Sequence, residues 1–300
     1  MTITNSETAP LFSTWIGAMR PRTLTMALAP VLVGAALAWL VAGKTHLAAT
    51  LVAMLSAGCI QIATNLFNDA KDFERGGDGP DRLGPVRAAA SGLLEPAAIK
   101  RAAVGAFALA ACGGVYLIAV GGWPILLLGL ASIVSGWAYT GGPWPISYSP
   151  FGEIFVIAFF GLAAVCGTYW LCAGELALAP VLAGCAVGLF AAGVLMVNNF
   201  RDAAADARVG RRTLAIVAGP ARARWLFAAM MLAPFALLAP LAGAAPPNHM
   251  VVALGALPLA AMQARRLFVE RPGPGLNGLL AQTAQTQALF SVLLCLGAVF

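Results

Sequence analysis

Charge is scarce in this chain: of its 300 residues only 10% are Asp, Glu, Lys or Arg, and only 2 are histidine. Soluble domains carry about a quarter charged residues, so a mean hydropathy of +0.85 excludes that class. Both histidines, His46 and His249, fall on one side of the expected bundle, away from every other polar cluster, so no histidine is at hand as a base or metal ligand. The six cysteines lie inside or at the ends of apolar runs without metal spacing and are read as small buried hydrophobes. The first fourteen residues are polar, expected to be poorly ordered, and carry neither the basic segment nor the small-residue cleavage site of a signal peptide. The first apolar run is therefore expected to be retained.

Present instead are long apolar runs. A helix needs about 17–25 apolar residues to cross ~30 Å of hydrocarbon. Such runs occur at 24–42, 46–66, 101–120, 123–140, 151–172, 177–199, 224–243, 249–264 and 281–300. The expected architecture is an all-α membrane protein of nine transmembrane helices, a single domain over 1–300. Lysine and arginine are retained on the cytoplasmic side during insertion. With the N-terminus cytoplasmic, Lys44 is the one of 18 basic residues that falls outside. That bias predicts a multi-pass protein with its polar helix ends facing the cytoplasm and the lipid bilayer as partner. A nucleic-acid partner has no support, and no obligate protein partner is evident.

Acids are not spread evenly over so apolar a chain. Asp69, Asp72, Glu74, Asp78 and Asp81 fall within thirteen residues at the end of the second run. Asn65, Asn68, Asp69 and Asp72 are spaced i, i+3, i+4, i+7, one helical face. At the end of the sixth run, "NNFRDAAAD" puts Asn198, Asp202 and Asp206 at i, i+4, i+8, with Asn199 beside them. Asn65 and Asn198 stand 133 residues apart, as do Asp69 and Asp202, a weak internal repeat of about four helices. Ionisable residues at membrane helix ends are costly unless they face a cavity or a partner. Carboxylates on one face repel until something positive lies between them, and hard oxygen donors without sulfur or imidazole select Mg²⁺. Mg²⁺ is usually held by one or two carboxylates plus phosphates, which makes a Mg²⁺-bridged diphosphate the fitting occupant. Lys71, Arg75, Arg82, Arg87, Arg201, Arg211 and Arg212 flank the two faces and could grip its oxygens.

These stretches resemble the paired aspartate motifs of the UbiA-type intramembrane aromatic prenyltransferases. The resemblance extends to the branch that prenylates 1,4-dihydroxy-2-naphthoate in menaquinone biosynthesis, through "RPRTL" at 20–24, "PDRLGPVR" at 80–87, "ASG" at 90–92, "YTGGPWPISYSPFGEIFVIAFFG" at 139–161 and "GRRTLAIVAG" at 210–219. It implies a helical bundle with a central cavity open to lipid, and Mg²⁺ and diphosphate ligands at Asn65, Asn68, Asp69, Asp72, Asp202 and Asp206, with Asp78 as a further member. The wider superfamily commonly has an acid four residues after Asp72. Here that residue is Gly76, with Asp78 two positions on, as in the naphthoate branch. The substrates implied are a polyprenyl diphosphate and 1,4-dihydroxy-2-naphthoate, joined with loss of CO₂ and diphosphate.

Cations are stabilised by aromatic faces, and of Tyr139, Trp144, Tyr148 and Tyr169 the one singled out for the allylic cation is Tyr139. Segment 141–150, uncharged and with three prolines, suits a cavity wall for the acceptor, Tyr148 included. Glu153, the one acid in the fifth run, either caps or pairs with a loop arginine or orients the aromatic substrate. Two alternatives stand. One is another acceptor such as 4-hydroxybenzoate. The other is a secondary transporter, whose site would lie near the midplane rather than at helix ends. The D-G-x-x-A-R pattern of a CDP-alcohol phosphotransferase is absent.

Overall fold

The computed structural model describes residues 11–77, 83–84, 87–246 and 249–300, and every described regular element is helical. Eight helical stretches are long and apolar enough to cross a membrane, and α5 (Trp123–Ala138) is a ninth, shorter apolar helix. At 16 residues it spans about 24 Å, short of the hydrocarbon core, because the Gly/Pro-rich segment turns the chain back early. The protein is a multi-pass membrane bundle.

Helices α2 (Leu24–Ala42) and α3 (Leu47–Glu74) start where the apolar runs predict, but α3 continues well past the expected end. So does α8 (Leu178–Arg208). Both extensions carry the acidic faces, whose charges are matched by arginines and so need not terminate the helix. Of the first fourteen residues, expected to be poorly ordered, 1–10 lie outside the described residues, whereas 11–14 open the helix α1 (Leu11–Met19), whose Trp15, Ala18 and Met19 join a hydrophobic cluster with Leu66 and Phe67 of α3. At the opposite end of the bundle the isolated Lys44 donates from Nζ to the Ala173 carbonyl at 2.9 Å, capping α7 (Ala164–Ala173).

Helix α8 runs through the core. Phe190 packs with Phe235 of α9 (Leu214–Ala236) and Phe290 of α12 (Leu276–Val299), the ring centroids 5.8 and 4.9 Å away. On its other side α8 meets a π-helical turn, Ala158–Ala163, that joins α6 (Gly152–Ile157) to α7. There the backbones touch. A Cβ on Gly161 would lie 2.3 Å from the Gly184 carbonyl oxygen, and one on Gly188 would lie 2.8 Å from that of Ile157. Small residues are what permit such close crossings in membranes, where apolar area gives helices little reason to associate. Gly188→Leu is therefore expected to cost about 3 kcal/mol or more through overpacking. A thermal melt in detergent indistinguishable from wild type would refute this.

Candidate active site

The acidic ends of α3 and α8 converge on a polar pocket of about 260 Å³. Asn68 and Asp72 reach it from α3, and Asn198, Asn199, Asp202 and Asp206 from α8. Gly76 ends α3 in the left-handed conformation (φ 70°), and the Gly77 amide donates to the Asp72 carbonyl at 2.8 Å. An acid at position 76 would be strained, which accounts for glycine there.

Three guanidiniums pair with the acids in two groups, one joining Asp72 to Asp206 and one on Asp202. Arg87 pairs with Asp72 at 2.9 Å, and Arg211 pairs with the other Asp72 oxygen and with Asp206 at 3.1 Å. Arg201 grips both oxygens of Asp202 at 2.8 and 2.6 Å and donates to Asn198 and Asn277. Burial disfavours the charge on Arg211, but the carboxylates of Asp72 and Asp206 more than reverse this and push its pKa above the usual guanidinium value.

The expected site divides. The four polar residues of α3 cover a stripe about 100° wide, and its two edges meet different neighbours. Asn68 and Asp72 face α8. Asp69 is instead held by backbone, accepting from the Ala88 and Ala89 amides at 3.2 and 3.1 Å, and Asn65 donates to Met19 and Thr23. Neither lines the polar pocket. Among the basic residues, Arg87 and Arg211 line it. Lys71 lies outside, paired with Glu74 at 2.7 Å. Arg75 staples the loop by donating to the Thr140 and Gly142 carbonyls, and Arg212 is exposed. Arg82 and Asp78 lie outside the described residues.

Tyr139 lines the pocket, whereas Tyr148 lies beneath the guanidiniums of Arg75 and Arg211, 5.3 and 5.0 Å from its ring centre. Glu153, 1% exposed, does not line the pocket and pairs with no loop arginine among the described residues: its partner is Asn199, whose Nδ2 donates to it at 2.9 Å. A carboxylate can only accept, so it fixes the Asn199 amide with its carbonyl oxygen directed elsewhere.

Arg20 and Arg208 also line the pocket and were not singled out among the candidate ligands. The signal for Arg20 lay in "RPRTL", where proline after arginine excludes a continuous helix. Arg20 has φ 53°, a conformation costing a non-glycine residue about 1–2 kcal/mol.

A second, mainly apolar cavity of about 430 Å³ adjoins the first and shares Arg20, Asn68, Tyr139 and Asn198 with it. It runs among the spans, lined by Phe155, Phe159, Phe160, Leu128 and Ile133.

The sequence profile of the UbiA prenyltransferase family matches residues 27–276. The chain belongs to that family. Among curated relatives of this UbiA member, the 1,4-dihydroxy-2-naphthoate octaprenyltransferase of Escherichia coli is 35% identical over 94% of each chain. The protein of the same name from Mycobacterium tuberculosis is 36% identical over 94% of this chain and 95% of its own. The fold is similar to that of a UbiA homologue from Archaeoglobus fulgidus bound to GPP and Mg²⁺ (TM-score 0.68, 16% identity, 95% of this chain and 99% of that one). It is likewise similar to an apo homologue from Aeropyrum pernix (TM-score 0.69, 17% identity, 93% and 97%).

The donors of the pocket fit a divalent cation. Asn68 presents a buried Oδ1 without a hydrogen-bond partner among the described residues, beside three aspartates, and no sulfur or imidazole lines the pocket. Among the described residues no three acids, histidines or cysteines could hold a metal as a group, so phosphate oxygens and water would have to complete the coordination.

Proposed function

We propose that this UbiA-family protein transfers a polyprenyl group from a polyprenyl diphosphate to 1,4-dihydroxy-2-naphthoate, giving demethylmenaquinol, CO₂ and diphosphate. The observation that carries the reading is the junction of the two cavities. A charged head fits the polar pocket, an isoprenoid tail fits the apolar one, and Tyr139 and Asn68 stand between them. The acceptor follows from the relatives, which are 1,4-dihydroxy-2-naphthoate octaprenyltransferases.

In this reading Asn68, Asp72, Asp202 and Asp206 would hold Mg²⁺, and the ion would supply positive charge toward the leaving diphosphate. Arg20, Arg87, Arg208 and Arg211 neutralise its remaining oxygens as the allylic C1–O bond breaks and the bonding pair leaves with the diphosphate. Tyr139 offers its ring to the cation at C1. The acceptor carbon bearing the carboxylate bonds to C1, and CO₂ departs, returning its bonding pair to the ring. A ring with two hydroxyls needs holding in place more than it needs a strong base, which agrees with a pocket without histidine. The polar end and the N-terminus face the cytoplasm of a bacterial inner membrane, as the basic residues argue.

Purified protein with Mg²⁺ and radiolabelled polyprenyl diphosphate should give lipid-soluble product with the naphthoate and not with 4-hydroxybenzoate, and EDTA should abolish it. Product from 4-hydroxybenzoate alone would overturn the acceptor. Neither product nor released diphosphate would overturn the reaction.

A further inference from the structure

Arg20 is the one non-glycine residue with positive φ among those described, and it lies at the junction of the two cavities. Arginine has neither the missing Cβ of glycine nor the short polar side chain of asparagine that eases this conformation, so its surroundings must hold it.

Helix α3 supplies the grip. Asn65 Nδ2 donates to the Met19 carbonyl, on one side of Arg20, and to Thr23 Oγ1, on the other, both at 3.0 Å. Gln61 Nε2 donates to the same hydroxyl at 3.1 Å, and that hydroxyl donates to the Arg20 carbonyl at 2.9 Å. Both amide hydrogens of Asn65 are used, and the Thr23 hydroxyl uses its hydrogen and both lone pairs. Asn65 and Gln61 are 6% and 9% exposed, so lost bonds would not be replaced freely by water.

We propose that Asn65, acting through Thr23 and Met19, is a positioning residue that fixes Arg20 at the mouth of the diphosphate pocket, rather than a ligand of the divalent cation. The inference rests on the prenyl-transfer reading, since it is the diphosphate that Arg20 would meet.

An acid-for-amide exchange separates the two roles. Asn65→Asp keeps a hard oxygen and adds charge, so a true ligand would hold the cation as well or better. The clamp would lose both donors, with two oxygens facing the new carboxylate. Thr23→Val removes the other node of the clamp without touching α3, and Thr23→Ser restores the hydroxyl.

The full-length wild type and these three variants would be compared by KM for farnesyl diphosphate, by equilibrium dialysis of labelled farnesyl diphosphate, and by Mn²⁺ binding followed by electron paramagnetic resonance. Thermal melts would exclude unfolding. Asn65→Asp and Thr23→Val are each expected to raise KM and weaken farnesyl diphosphate binding about tenfold or more, with Mn²⁺ affinity within about twofold of wild type and Thr23→Ser near wild type. Unchanged farnesyl diphosphate binding in both disrupting variants would overturn the clamp. So would a large change in Mn²⁺ affinity confined to Asn65→Asp. A wild type that binds farnesyl diphosphate without turning it over would remove the prenyl-transfer reading, and the dialysis would still decide the clamp. If Asn65→Asp fails to fold, Thr23→Val against Thr23→Ser carries the test.

Discussion

Asp72→Asn is expected to lower prenyl transfer by about three orders of magnitude while the bundle stays folded, because charge stabilisation of a leaving group is where such sites lose most when one member is removed. Asp72 is 1% exposed and stands between Arg87 and Arg211, on the pocket face opposite Asp202 and Asp206. Asparagine keeps the volume and one acceptor oxygen but removes the charge that would attract a divalent cation. It also weakens the contact that Arg87 makes to Asp72 at 2.9 Å by removing the negative charge. Label transfer under saturating Mg²⁺, read beside a thermal melt, tests this. A folded variant within about tenfold of wild type would remove Asp72 from the chemistry.

The second large effect concerns stability. Arg211→Met takes from Asp206 the guanidinium that pairs with it, in a place where the side chain is 10% exposed. Breaking a buried pair by removing one partner costs about 3–5 kcal/mol, since the remaining charge has no compensation. A sharp fall in melting temperature should follow. Mg²⁺ with inorganic diphosphate should then restore part of the loss and shift the variant more than wild type, because bound cation supplies the missing charge and binding to the folded state stabilises it. Equal shifts for both proteins would argue that the cation does not reach Asp206.

Most of this arrangement was legible in the sequence, and what was not has identifiable causes. Apolar length marks where spans run, but not where they stop. Helices α3 and α8 outlast their apolar runs because Arg87, Arg201 and Arg211, distant or adjacent in sequence, neutralise the acids of the extensions. Helical spacing correctly brought Asn68, Asp72, Asp202 and Asp206 to one pocket. It could not tell that Asp69, only about 60° around the helix from Asp72, meets the amides of Ala88 and Ala89 instead. Spacing reports a direction; only the fold reports what waits there. Long cations mislead for a related reason. Arg75 sits between acids in sequence yet spends its donors on loop carbonyls at 140 and 142, while Arg20, far from either acidic stretch, reaches the pocket through a left-handed backbone turn of which "RPRTL" announces only the break in the helix.

The two cavities share four lining residues, Arg20, Asn68, Tyr139 and Asn198, and are otherwise lined by different side chains. Chemistry at the head and accommodation of the tail are therefore under separate control. Changes of side-chain volume along Leu128, Ile133 or Phe159 alter what length of hydrocarbon can be housed without moving an ion pair. A lineage could in this way drift from one quinone tail to another while the bond-breaking apparatus stays as it is.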